Sequence, residues 1–256
     1  MNSKNFKNNF LHTVGSTHSG INSVLDKGVP FDIYKSYLLS FGSYIQLIKL
    51  GWTTWALFSD LELQKKINLA KKMRIPVCLG GTLFEIAYTN GLWDEFIDFI
   101  VSNELDSLEL ASGFCVNFDA IPDLIKCAKN HKLSVIVEIG FKDEKKDAAL
   151  SVKERMYQIR TAFMTGADYV VLEAREQGYG YSVYKSEESK NEDLISAIQS
   201  EFPLENIIFE APLRSNQIYL VNRLGSDVNM GNIMFDEIPR VETIRRRLHA
   251  STYKVK

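Results

Sequence analysis

Eight charged side chains stand at or just past the ends of short apolar runs, and they are the residues best able to do chemistry. Four are glutamates, Glu109, Glu138, Glu173 and Glu210; the others are Lys27, Lys49, Lys142 and Arg175. Carboxylates facing ammonium and guanidinium groups suit a small, multiply negative substrate together with a hard divalent ion such as Mg2+, which favours carboxylate oxygens. Charges in an interior are costly unless they are paired or liganded. Histidine offers little here: His12 and His18 lie in the N-terminal stretch, His131 at a helix end and His249 in the last helical pattern. A Ser-His-Asp triad, a His-ligated zinc and a histidine base are thereby disfavoured, which leaves lysine as the proton carrier.

The elements that must position these groups follow from periodicity. Eight mostly apolar runs read as strands: 21–26, 44–50, 75–80, 107–110, 134–140, 168–173, 206–210 and 226–229. Between and after them lie amphipathic stretches at 32–41, 59–73, 92–103, 118–131, 151–165, 191–202, 213–224 and 241–249. Continuous apolar strands are those of a parallel sheet buried on both faces. Eightfold strand–helix alternation in 256 residues predicts a single-domain (β/α)8 TIM barrel over residues 20–256, after a polar tail at 1–19. An open doubly wound sheet is the alternative, weakened because no G-x-G-x-x-G follows the first strand. Gly166 and Gly225 stand where helices must stop before strands six and eight, and Ser59 and Ser151 stand where helices can be capped.

In such barrels the active site forms at the C-terminal ends of the strands. That rim also receives Gly80-Gly81-Thr82, Asn229 and Asn232. The charged segment 141–150 and the glycine-containing segment 174–190 read as long loops, candidates for lids. Each signal alone has an ordinary explanation. Gly80-Gly81-Thr82 suits a tight turn as well as an array of N–H groups for an anion. Lys27 and Lys49 could pair with Asp26 or Glu109, and Arg175 with Glu173 or Glu176. Glu85 reads as a helix-N-terminal carboxylate, and Trp52 and Trp55 as packing. Their coincidence at one rim is the informative observation.

Composition narrows the partners. A formal net charge of −2 provides no global field for nucleic acid or an anionic membrane. The basic run Arg245-Arg246-Arg247 reads as a solvated helix face or a last-turn dipole partner. No apolar run approaches the roughly 18 residues of a membrane span. Three cysteines at unrelated spacings form neither a disulfide framework nor a zinc site, which suits a reducing cytoplasm.

Several of these stretches resemble the phosphosulfolactate synthase family from about Gly20 to His249. They are Leu25-Asp26-Lys27-Gly28, Lys49-Leu50-Gly51-Trp52, Gly80-Gly81-Thr82-Leu83-Phe84-Glu85, Glu138-Ile139-Gly140, Gly166-Ala167-Asp168-Tyr169-Val170, Ile208-Phe209-Glu210-Ala211-Pro212 and Phe235-Asp236-Glu237. The resemblance implies a barrel that adds sulfite to phosphoenolpyruvate with Mg2+, giving (2R)-phospho-3-sulfolactate for coenzyme M or sulfolactate formation, and a homo-oligomer such as a trimer. It also implies that Lys142, two residues past Glu138-Ile139-Gly140, is the acid that protonates the adduct, its pKa lowered toward working pH by neighbouring cations. The substrate-binding candidates are then Lys27, Lys49, Gly81, Thr82, Arg175, Asn229 and Asn232. The metal-ligand candidates are Glu138, Glu173 and Glu210.

The departures from the family pattern lie at the rim. Thr53 and Ala174 replace glycines, Phe141 replaces a lysine, and Ala111-Ser112-Gly113 lacks a polar group. Two alternatives therefore stand beside the sulfite-adding enzyme: a related barrel enzyme with another nucleophile or enol-phosphate, and a non-catalytic paralogue of the heat-stress-associated type acting by protein contacts.

Overall fold

A computed structural model describes Phe6, Phe10 and residues 18–180, 182–186 and 190–253. Strands β1 (Asn22–Asp26), β2 (Leu47–Leu50), β3 (Val77–Leu79), β4 (Ser107–Ala111), β5 (Ser134–Ile139), β6 (Tyr169–Leu172), β7 (Ile207–Glu210) and β8 (Asn229–Ile233) close into one parallel barrel, β8 pairing with β1. Helices follow the strands and pack their apolar faces on its outside, so the main core lies between strands and helices. The fold is the single-domain (β/α)8 barrel read from the alternation. Among the described residues no helix is long and apolar enough to cross a membrane.

The local rules hold at the predicted stops and caps. Ser59 accepts from the Glu62 N–H at 3.3 Å, and Ser151 forms a reciprocal capping box with Glu154. Gly166 ends the helix Val152–Thr165 at φ 113°, a conformation that side chains rarely adopt.

Two helices were not foreseen. Gly81–Thr89 starts directly at the end of β3, where Gly80-Gly81 reads as a turn; Gly81 is instead its first residue, pressed against Ala111. Glu144–Ala149 lies in the charged segment after β5, with Asp143 capping it through the Lys146 N–H at 2.9 Å.

In the basic run, Arg245 stands in the last turn of the helix Ile238–Arg245, as one of its two readings has it, but not on a solvated face. Arg245 is fully buried and donates to the carbonyls of Ile21, Ser226 and Val228 and to the Asn22 side chain, closing the N-terminal end of the barrel. A fork of five N–H donors can satisfy several carbonyls at once, which a solvated helix face would not use. Most of the 1–19 tail lies outside the described residues. His18 and Ser19 are anchored to the barrel, His18 on Glu242 at 3.0 Å and the Ser19 N–H on Asp227 at 2.7 Å.

Candidate active site

Side chains in a strand alternate between its two faces, and this decides which residues reach the barrel interior. Leu47, Cys78, Ile136, Val171 and Ile208 form a small apolar cluster inside the barrel. Two residues further along β2, β5 and β7, and just past β6, the same face presents Lys49, Glu138, Glu210 and Glu173. With Glu109 of β4 they are buried and line a cavity of about 500 Å3. Lys27, Gly81, Thr82, Lys142, Arg175 and Asn232 line it as well.

The ionic contacts inside are dense. Lys49 Nζ donates to both oxygens of Glu109, at 3.2 and 3.0 Å, and to Glu210 at 3.3 Å. Lys142 Nζ sits between Glu138 and Glu173, donating to each. Backbone groups complete the cage. The Gly81 N–H donates to Glu109 at 2.8 Å, the Ala174 N–H to Glu210 at 2.9 Å and the Arg175 N–H to Glu173 at 2.8 Å. At the mouth Lys27 pairs with Glu176 at 2.7 Å and lies 4.5 Å over the Trp52 ring. Among the described residues the Arg175 guanidinium has no ion pair.

Four buried carboxylates against two buried ammonium groups leave a surplus of two negative charges. Protons can take up that surplus. Burial and the neighbouring carboxylates push Glu138 well above the usual carboxylate range, against the pull of Lys142. Burial, reinforced by the Glu173 charge, raises Glu210 to about 7, against the pull of Lys49 and Lys142. At Glu173 burial also favours the neutral form, but Lys142, a hydrogen bond with Glu210 and Lys49 outweigh it and hold the group at about 2. A divalent cation would satisfy the same surplus, and the donors present are the hard oxygens Mg2+ prefers. No three His, Cys, Asp or Glu among the described residues form a ready-made cage. Mg2+ commonly makes do with one or two carboxylates, completing its shell with water and substrate oxygens, so the residues fit it in charge and donor type.

Several sequence-based expectations are corrected. Asn229 does not reach the cavity. It begins β8 rather than ending it, and its side chain binds the Ile21 N–H and the carbonyls of Leu204, Glu205 and Ile207 at the opposite end. Lys142 is not surrounded by cations: burial would lower its pKa, but Glu138 and Glu173 outweigh burial and raise it. Lys27 pairs with Glu176, while Asp26 pairs instead with Lys66 of the helix Asp60–Lys72. Glu85, read as a helix-N-terminal carboxylate, lies past the first turn of the helix Gly81–Thr89. It is buried and accepts the N–H groups of Phe114, Cys115 and Val116 at 2.9, 2.7 and 3.0 Å, shaping the loop after β4. Glu109, one of the four strand-end glutamates but not among the substrate or metal candidates, belongs to the same buried cluster; alternation from Ser107 through Glu109 was the available signal. Glu176 has no such periodic signal, because it lies in a loop.

The chain matches the (2R)-phospho-3-sulfolactate synthase (ComA) family over residues 13–251. A phosphosulfolactate synthase of Methanocaldococcus jannaschii is 36% identical over 235 residues, spanning 91% of this chain and 94% of that relative. One from Bacillus subtilis is 28% identical, spanning 92% of each. Among solved structures, 3-hexulose-6-phosphate synthase from Salmonella typhimurium superposes with a TM-score of 0.57 at 12% identity, over 90% of this chain and all of that one (100%), a likeness of fold alone. The barrel, the strand-end cluster and a match over nearly the full length agree, and the chain belongs to the (2R)-phospho-3-sulfolactate synthase family.

Proposed function

We propose that this cavity adds sulfite to phosphoenolpyruvate to give (2R)-phospho-3-sulfolactate. The observation that carries the reading is the convergence of Lys27, Lys49, Lys142 and Arg175 on one cavity with four buried glutamates, in a chain of this family. Phosphoenolpyruvate brings a phosphate and a carboxylate, and sulfite brings further negative charge, so binding all three needs several fixed cations. Arg175 and Lys27 at the mouth suit the phosphate, because a guanidinium fork matches phosphate oxygens. Lys49, deeper and held charged by Glu109 and Glu210 against burial, suits the substrate carboxylate. Gly81, Thr82 and Asn232 line the same cavity and offer further polar groups.

In the reaction the sulfur lone pair of sulfite attacks the methylene carbon and a C–S bond forms. The π pair of the C=C bond moves toward C2 and into the carboxylate, making an aci-carboxylate dianion. Lys49, already in place, stabilises that charge without reorganisation. C2 then takes a proton from the Lys142 ammonium, and the neutral amine recovers one from solvent. Glu138 and Glu173 hold that proton tightly in the resting site, yet an aci-carboxylate is a far stronger base than an amine, so transfer stays downhill. One proton source on one wall gives one configuration at C2. Glu138, Glu173 and Glu210 are the carboxylates of which one or two would hold Mg2+, and the ion would supply further positive charge to stabilise the developing dianion.

The substitution of Phe141 beside Lys142 favours a second reading, in which the cavity takes another nucleophile. Purified protein mixed with phosphoenolpyruvate, sulfite and Mg2+ separates the two when products are followed by mass spectrometry. Phosphosulfolactate from wild type, lost with Lys142→Ala and with chelator, is the expected result. Phosphoenolpyruvate consumed only with a different nucleophile establishes the second reading. Absence of both turnover and phosphoenolpyruvate binding contradicts both and leaves a non-catalytic protein.

A further inference from the structure

The two long segments at the mouth, read from sequence as lids, are bolted together by a buried ion pair outside the cavity. Asp147, in the helix Glu144–Ala149, is completely buried. One of its oxygens accepts the Phe141 N–H at 2.8 Å. The other accepts the Ser182 N–H of the segment after β6 at 2.8 Å and pairs with Arg155 at 2.7 Å. Arg155, buried at the start of the helix Val152–Thr165, also donates to the Asp147 carbonyl at 2.7 Å and to the Ser182 hydroxyl at 3.2 Å. Lys142 follows Phe141 directly, and its own N–H donates to the Gly113 carbonyl at 2.8 Å. Its backbone is therefore gripped on both sides. Gly140, at φ 138°, comes so close that an added Cβ would lie 3.0 Å from Asp147 and 2.8 Å from Glu173.

We propose that Asp147, with Arg155, is the positioning residue that fixes Lys142 against Glu138 and Glu173 by locking the post-β5 and post-β6 segments into one rigid wall. This deepens the proposed function and rests on it only for the effect on turnover. A buried ion pair is a poor source of net stability compared with apolar packing of the same volume. Its four hydrogen bonds to the two segments are instead geometric constraints, and a shift of about 1 Å in a reacting group can cost about a hundredfold in rate.

The test compares wild type, Asp147→Asn and Arg155→Lys, each checked for the native fold by circular dichroism. The folded proteins are treated with acetic anhydride, and acetylation of Lys142 is read from its peptide by mass spectrometry. Lys142 acetylating about tenfold faster in the variants, as local opening exposes it, is the expected result. Alongside it, kcat for phosphosulfolactate should fall about a hundredfold while the KM for phosphoenolpyruvate changes little. Wild-type acetylation in a folded variant overturns the proposal, and so does faster acetylation with unchanged kcat. Should Asp147→Asn not fold, Arg155→Lys decides, since it keeps the buried charge and loses only the fork. Wild type making no phosphosulfolactate contradicts the functional reading alone, because the acetylation ratio is read without turnover.

Discussion

Lys49 and Lys142 both sit among carboxylates, and the proposed reaction gives them different work. Lys49 is buried between Glu109 and Glu210, so replacing it with Met leaves two carboxylates without their shared cation. Breaking a buried pair on one side costs about 3–5 kcal/mol, so Lys49→Met should lower the urea midpoint markedly as well as abolish turnover. A variant as stable as wild type would show that Lys49 is not the cation of the cluster. The Lys27–Glu176 pair is the opposite case. Its partners are 30% and 58% exposed, where an ion pair is worth about 0–1 kcal/mol. Glu176→Gln should leave stability unchanged and lower the KM for phosphoenolpyruvate about two- to fivefold, because a competing carboxylate leaves Lys27. A raised KM would mean that Glu176 itself helps to hold substrate. At this scale the sequence was informative wherever strand period alone sets direction, as at Glu138 and Glu210. It misled at Asn229, where displacing the strand by a few residues moved the side chain to the other end of the barrel.

Among the elements, the short connections decide what the strands deliver. Glu85 gathers three N–H groups of the loop after β4, and that loop supplies the Gly113 carbonyl that holds Lys142. Glu85→Ala removes the acceptor from three N–H groups, of which that of Val116 is buried, and an unmet buried donor costs about 1–3 kcal/mol. The expected result is a clear loss of thermal stability, with faster amide exchange confined first to residues 113–116. Uniformly faster exchange over the barrel would contradict a local role. The helix containing Asp147 was not legible because its six residues carry no apolar period and are mostly charged. Likewise, Gly-Gly at the start of Gly81–Thr89 carries the signature of a turn, yet the close approach of Ala111 is what requires glycine there. Apart from these two helices, strands and helices followed from local pattern; the contacts that aim the loops join residues far apart in the chain, which no local pattern encodes.

For the molecule as a whole, eightfold alternation was enough to predict the barrel, but not how its N-terminal end is sealed. That end depends on Arg245, Glu242 and His18, which meet from the two extremes of the chain. Burial would raise the Glu242 carboxyl, but His18 and Arg246 outweigh it and hold its pKa below the usual value. A carboxyl depressed in the folded state adds stability above its unfolded pKa of about 4.3, and that stability is lost as pH falls through the folded value. Thermal midpoints measured from neutral pH into acid should therefore fall less steeply for Glu242→Gln than for wild type, from a lower starting point. Parallel curves would show that Glu242 contributes no such linkage.

The proposed reaction turns on one event, delivery of a proton by Lys142 to C2 of phosphoenolpyruvate inside the carboxylate cluster. The direct measurement is turnover in D2O with phosphoenolpyruvate, sulfite and Mg2+, with the product analysed by NMR and chiral separation. The account predicts a single (2R) product carrying deuterium at C2 only, and none from Lys142→Ala. Racemic product from wild type, or undiminished (2R) product from Lys142→Ala, would contradict it.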